Sequence, residues 1–347
     1  MKIFFLGDID HPNTQNWVKG LKNYGGCEVR TWSLPWPKGR LGIVKRVIVS
    51  LWALLTLKKK IIQFKPDILI GYRLTSYGFI AAFTGIHPLV IAQQGETDVW
   101  PMNHWTTSIK SFLARYAIKK ADLVHAWGDN MALSVYELGG EKEKVLVLPR
   151  GIDLSNFTAD ANKSFDKFRI FASRALHPDY GYDVIIQSIH SLKQADIPVD
   201  FRIAGSGSEE YALKQMVIDL GLDSEITFLG RISNKELRNE LQLSNVYISM
   251  PVTEGVSASL LEAMTCYCIP VVSDLPANRQ WITNRVNGFL VPVGDVKELI
   301  NTLSFVWQNI EEFKPVLQQN KTLIEQSASQ KTNTEFFIKK YKELITD

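Results

Sequence analysis

Cysteine is scarce in this chain of 347 residues, which has three: Cys27, Cys266 and Cys268. They form no CxxC pair and no metal-ligand spacing, which argues against a disulfide scaffold and a zinc module and fits a reducing, cytoplasmic setting. No apolar run approaches the roughly 20 residues that cross a bilayer. The N-terminal MKIFFLGDID ends in acidic residues and has no small-residue cleavage site. It therefore reads as a first strand rather than a signal peptide. Strong net charge is missing too. A balance of +3 from 39 Lys and Arg against 36 Asp and Glu gives no reason to expect nucleic acid. Low-complexity tracts and short repeats are absent. What is present, 46% hydrophobic and 22% charged residues, is the make-up of an ordinary soluble globular protein, and the length fits two domains.

One absence is local. From Val29 to Pro66 there is no acidic residue, while Arg30, Lys38, Arg40, Lys45, Arg46, Lys58, Lys59, Lys60 and Lys65 all fall there. They surround the apolar run VIVSLWALLTL (47–57). Two compatible readings follow. The run is a helix packed on a sheet with its basic ends in water, or a helix that also meets anionic lipid through those bases and Trp52.

Apolar, β-branched runs alternate with helical stretches along the chain. Strands are expected at 2–8, 28–34, 67–72, 89–95, 122–127 and 144–149. A polar stretch (150–168) intervenes, and the rhythm restarts at 169–173, 200–205, 226–230, 245–250, 269–273 and 289–292. Near-continuous apolar strands alternating with helices mean parallel sheets covered on both faces. Two such series predict an α/β chain of two doubly wound, Rossmann-like domains. In such sheets ligands bind outside the carboxyl ends of strands, so two domains facing each other make a cleft.

Three loops of the second series draw attention. SRALHPDYGYD (173–183) follows its first strand. AGSGSEE (204–210) carries a Gly-x-Gly turn at Gly205, a weak signal by itself. MPVTEGVSASLLEAMTCYCIPVVSD (250–274) is the most informative. Pro251 and Gly255 place Glu254 in a loop, and a helix begins near Val256 to Ser259. Its first amides have no intrahelical partners and form an anion site. Val256, Leu260, Ala263 and Met264 share one face, and at about 100° per residue Glu262 points away from it. Two isolated glutamates would be read as a solvated side chain and a helix-end charge. Bracketing an anion site, they suit a ligand with a central diphosphate, hydroxyls at one end and a ribose at the other.

With Glu254, seven residues, Glu262, then EAM and CIPVVSD, the stretch resembles the family-4 retaining glycosyltransferases of the GT-B fold. The resemblance extends to ADLVHAWGD, VLPRGID, the Arg174 loop, FLGRIS and SDLPANRQWITNRVNGFLVP, in order. It implies a first domain over 1–160, a nucleotide-sugar-binding domain over 161–331, and a C-terminal helix (332–347) that packs back on the first. Glu254 would hydrogen-bond the donor sugar and stabilise charge at the reacting centre. Glu262 would bind ribose hydroxyls, and the amides near Gly255, Val256 and Ser257 would hold the diphosphate. Arg174 would neutralise the departing group. Tyr180 and Gly205 would line the donor site, and Arg231 and Ile232 would lie beside the base. Asp8, His11 and Gln94 would lie in first-domain loops at the cleft. The family needs no bound metal or other cofactor, so Asp8 and Asp10 read as a loop rather than a metal triplet.

The chain departs from the family pattern in four places. Tyr180 stands where a lysine before glycine is frequent. Gln94-Gly95 replaces a histidine-glycine pair, Tyr267 a common glycine, and Arg150 the usual asparagine. An enzyme that moves a hexose-type sugar from a nucleotide diphosphate donor to a surface-glycan or lipid-linked acceptor is the reading Arg174, Glu254 and Glu262 favour. A non-catalytic nucleotide-sugar binder that supports a partner enzyme is the alternative. A GT-B epimerase or sugar-phosphate synthase fits the glutamate motif less well.

Overall fold

The computed structural model describes residues 1–34, 56–93, 99, 106–159, 163–165 and 167–346. Two compact units result, Met1–Arg150 with Gln330–Asp347, and Gly151–Ser329. The first unit runs β1 (Lys2–Leu6), α1 (Pro12–Asn23), β2 (Glu28–Trp32), the described part of α2 (56–64), β3 (Ile68–Tyr72), α3 (Phe79–Phe83), β4 (Leu89–Ala92), α4 (Thr107–Lys120), β5 (Leu123–Ala126), α5 (Asp129–Glu137) and β6 (Val145–Val147). The second runs β7 (Phe168–Ser173), α6 (Tyr182–Gln194), β8 (Val199–Ala204), α7 (Glu210–Asp219), β9 (Ile226–Gly230), α8 (Asn234–Leu243), β10 (Val246–Ser249), α9 (Ala258–Thr265), β11 (Ile269–Ser273), α10 (Pro276–Arg279), β12 (Phe289–Val291), α11 (Val296–Gln308) and α12 (Lys314–Ser327). α13 (Gln330–Thr346) closes the chain.

Each expected strand is present, with ends within three residues of those expected, in two parallel six-stranded sheets of order β2-β1-β3-β4-β5-β6 and β12-β11-β10-β7-β8-β9. Both orders reverse beside their first strand, so each unit is Rossmann-like with a switch point, at β1/β3 and at β7/β10. In the second unit successive residues alternate between two cores. Val246 and Ile248 of β10 join Phe168, Ile170 and the α6 side chains on one face. Tyr247 joins Leu260, Leu261 and Met264 of α9 on the other. This is the period of two of a pleated strand with both faces covered.

The units divide at Arg150/Gly151 and Ser329/Gln330, not at 160/161 and 331/332. The polar stretch hid this, because its few apolar residues belong to the second core. Ile152 and Phe157 are buried there, and the Ile152 N–H donates to the Ala328 carbonyl at 2.8 Å. Lys163 is buried as well. Its ammonium donates to the carbonyls of Leu241 (3.0 Å), Cys266 (2.9 Å) and Tyr267 (3.1 Å), which end α8 and follow α9. A cation there satisfies carbonyls that have no intrahelical donor.

α13 packs on the first unit. Gln330 Nε2 donates to the Asn16 carbonyl (2.8 Å), Asn333 Nδ2 to that of Pro149 (2.9 Å), and Phe337 meets the His125 ring edge-on at 4.2 Å. His125 is fully buried and its Nε2 lies 2.9 Å from the Leu148 carbonyl. Burial lowers its pKa to about 4, so it stays neutral and structural.

Candidate functional site

β7 and β10 are neighbours at the second switch point, and the loops after them meet. Arg174 follows β7, and its Nη2 donates to Glu254 Oε2 in a short ion pair. The two side chains are 17% and 10% exposed, so the pair is largely out of water. Nη1 lies 3.4 Å from Ser259 Oγ, which also accepts from the Tyr247 hydroxyl at 2.8 Å. The Tyr182 hydroxyl accepts from the Arg174 N–H and donates to its carbonyl, both at 3.1 Å. The Tyr180 ring centre is 4.7 Å from the guanidinium carbon, a stacking distance. Burial alone would lower the Arg174 pKa. The Glu254 charge, with Tyr247, Tyr180 and Tyr182, outweighs it and raises the value instead. Arg174 Nε is buried with no hydrogen-bond partner among the described residues.

Glu254 Oε1 accepts from the Gly255 N–H at 3.2 Å. Ser257 is the N-cap of α9, and its Oγ accepts from the Leu260 N–H at 3.3 Å. The amides between Gly255 and that first capped turn precede any intrahelical donor and carry the positive end of the helix. Val256 lies before the helix and packs on the core. Glu262 is half-buried, about one turn into α9. The buried face of α9 is wider than its spacing predicts and includes Leu261, because α12 packs against the helix as well. Tyr267 has φ 61°, and this left-handed turn explains why glycine suits the position.

Gly205 has a packing reason of its own. A Cβ there would collide with the Arg174 carbonyl oxygen, so the Gly-x-Gly turn lies directly on the arginine backbone. Gly181 (φ 61°) likewise lets the Tyr180 loop lie against the Met250 carbonyl at the end of β10. Arg231 is exposed, and its Nε donates to Ser206 Oγ at 2.7 Å in that turn. Ile232 packs on the same core as Val256. The expected second-unit residues therefore surround α9 and the loops after β7, β8 and β9.

In the first unit Asp8 and His11 lie in the loop after β1. Asp8 Oδ1 accepts from the Asp10 N–H at 3.1 Å, a local turn. His11 caps α1, its Nδ1 accepting from the Asn13 N–H at 3.2 Å. Burial lowers its pKa, Asp8 raises it, and Arg73 and Arg150 lower it further. Gln94 lies outside the described residues. Arg150 is buried, donates to the Asn13 carbonyl at 2.7 Å and sits 5.4 Å over the Trp127 ring. Among the described residues no group of three His, Cys, Asp or Glu side chains is placed to hold a metal ion.

Sequence reading missed Tyr182, Tyr247 and Ser259. Tyr247 sits inside an apolar strand and read as core, although a buried tyrosine needs a partner for its hydroxyl. That partner, Ser259, follows Glu254 by five residues, and the repeated serine of SAS was the available signal.

Residues 156–322 match the family model for glycosyl transferases group 1. The putative colanic acid biosynthesis glycosyltransferase WcaL of Escherichia coli K12 is 26% identical over 238 residues, 66% of this chain and 57% of that protein. The Escherichia coli UDP-Gal:alpha-D-GlcNAc-diphosphoundecaprenol alpha-1,3-galactosyltransferase is 24% identical over 194 residues, 52% of this chain and 50% of that one. The chain thus spans about half the length of these curated relatives. The crystal structure of Anabaena HepE with UDP and glucose superposes with a TM-score of 0.79 over 99% of this chain and 100% of that one, at 18% identity. The chain therefore has the GT-B fold, and most of its second unit matches the glycosyl transferases group 1 model.

Proposed function

We propose that this protein is a retaining, metal-independent glycosyltransferase of the family-4 type. It moves a hexose-type sugar from a nucleotide diphosphate sugar to a surface-glycan or lipid-linked saccharide acceptor. The observation that carries the reading is the Arg174–Glu254 pair at the mouth of α9, on the switch point of the second sheet. The diphosphate lies against the α9 amides from Gly255 to Ser257 and against the Arg174 guanidinium, whose Nη2 keeps Glu254. Glu262 holds ribose hydroxyls, and Arg231 and Ile232 flank the base. As the glycosidic bond breaks, negative charge grows on the diphosphate beside Arg174 and positive charge on the sugar beside Glu254. The departing phosphate takes the acceptor proton on the same face, which retains configuration. The names of the Escherichia coli relatives, one stating a UDP-sugar donor and a diphosphoundecaprenol-linked acceptor, support the substrate class.

A thermal-shift panel of UDP-, GDP-, ADP- and dTDP-sugars tests donor binding. A ligand at about 100 times its Kd adds roughly 2.7 kcal/mol of stability. No shift with any member would remove the reading. A shift without sugar transfer to any acceptor would favour a non-catalytic binder.

Two further results are expected. Turnover survives EDTA, since charge on the leaving diphosphate is met by Arg174 and helix amides. Loss of turnover restored by magnesium or manganese would overturn that. Tyr180→Lys weakens donor binding several-fold, because the ring stacks on Arg174 and a second cation there repels it. Tyr180→Phe keeps the stack and stays near wild type. A gain in affinity for the lysine variant, measured by calorimetry with the donor, would show a merely lost cation.

A lipid-linked acceptor would fit a protein held peripherally at the cytoplasmic face of an anionic membrane. Among the described residues no helix is long and apolar enough to cross one. Of the acid-free stretch, residues 35–55 lie outside the described residues. Lys58, Lys59 and Lys60 are exposed on α2.

A further inference from the structure

We propose that the outer side of α3 and α4 is the surface that docks on an anionic bilayer, with Phe83, Ile109 and Phe112 entering the interface. The proposal rests on the membrane reading above and says which face meets the lipid.

α2, α3 and α4 cover one side of the first sheet. Leu57, Ile61, Ala81, Ala114, Ala117 and Ile118 turn inward to a common core with Leu69, Leu89 and Val124. A helix on a sheet needs one apolar stripe. α4 has two. Its second stripe points to solvent, with Ile109 56% and Phe112 65% exposed. Tyr116, one turn beyond Phe112, meets Phe79 of α3 at 5.4 Å, and Phe79 meets Phe83 at 6.2 Å, itself 60% exposed. The aromatic patch therefore continues from one helix to the next.

The charge on these helices has one sign. The described part of α2 (TLKKKIIQF), α3 (FIAAF) and α4 (TSIKSFLARYAIKK) contain no acidic residue. Arg115 and Lys119 are exposed beside Phe112. On that flank a groove of about 330 Å3 is lined by Arg115, Lys119 and Lys144, with Glu141 paired to Lys144, and offers a seat for headgroup phosphate. From Val29 to Ala121 the sequence has fourteen Lys and Arg against three acidic residues, Asp67, Glu96 and Asp98, in a chain whose whole balance is +3. Exposed aromatic and aliphatic side chains within a predominantly cationic surface complement an anionic bilayer, whose headgroups take the charges and whose acyl boundary takes the rings. A surface made only for solubility would mix both signs and leave the rings out.

Flotation with vesicles of about one third phosphatidylglycerol in phosphatidylcholine, against phosphatidylcholine alone, tests this. The wild-type chain is expected to float with the anionic vesicles at low salt and to lose binding at high salt. Phe83→Ser with Phe112→Ser should lower the partition coefficient about tenfold or more. Arg115→Gln, Lys119→Gln and Lys120→Gln together should lower it by roughly fivefold per charge. Both sets replace exposed side chains, and circular dichroism and the nucleotide-sugar thermal shift check that the fold is intact. Wild-type flotation that neither set reduces would overturn this face and leave membrane association to another surface, such as Lys58, Lys59 and Lys60. No wild-type flotation would overturn both the face and the membrane reading, while the donor panel judges transfer separately. A dimer of the free wild-type protein that the phenylalanine variant dissociates would assign the patch to a second copy and overturn the proposal.

Discussion

Glutamine at position 254 is expected to lower turnover by roughly 10² or more while donor affinity changes little. The reason is the separation of two jobs in one carboxylate. Oε2 accepts from Arg174 Nη2, and Oε1 accepts from the Gly255 N–H. Flipped suitably, a glutamine has the shape and one oxygen to keep part of this, so Arg174 stays near its place and the diphosphate site survives. What glutamine lacks is charge. On the proposed mechanism charge matters only when the sugar turns cationic, which is a transition-state event and reads out in kcat. Product formation with the preferred donor, paired with calorimetry of donor binding, separates the two. Turnover near wild type would remove Glu254 from the chemistry. A parallel loss of binding and rate would make it a donor ligand only.

Arg174→Gln should be the more damaging change, because it acts on fold and function together. With Arg174 gone, Glu254 is left as a carboxylate only 10% exposed and without its cation. Removing one member of such a pair costs about 3 kcal/mol or more. On the proposed mechanism the departing diphosphate also loses the Arg174 cation, and kcat/KM should fall by about 10² to 10³. The combined variant Arg174→Gln with Glu254→Gln separates the effects. It should regain much of the lost stability, since no unpaired charge remains, and regain no activity. The two changes are therefore strongly non-additive in the unfolding midpoint. A single Arg174→Gln variant as stable as wild type would show that water reaches the pair and that Arg174 has no structural share. An active variant would deny it the diphosphate.

Tyr182 and Ser259 make the same site depend on neighbours with no chemistry of their own. Tyr182 ties down the Arg174 backbone from the first turn of α6, and Ser259 joins Nη1 of Arg174 to the Tyr247 hydroxyl. Burial raises the pKa of both tyrosines, so they remain hydroxyl donors and acceptors rather than charges. The guanidinium is thus aimed by neutral groups and paired with one charge, Glu254.

The sequence by itself determined the strands, their parallel pairing and the two-unit plan. Runs such as DILIGY and NVYISM have no polar face, and a strand of that kind folds only with cover on both sides. It also placed Glu254 before a helix and Glu262 within it, since proline and glycine punctuate locally. Local pattern says which side chains are inside; it does not say which strands lie side by side. Arg174 and Glu254 are 80 residues apart and meet because the sheet order reverses between β7 and β10. Burial of Leu261 required α12, an element 50 residues further on that no period within α9 can announce. The boundary at Arg150/Gly151 was hidden for the same reason. Ile152, Phe157 and Lys163 look like linker composition, and only the carbonyls and core waiting for them in the second unit make them part of it.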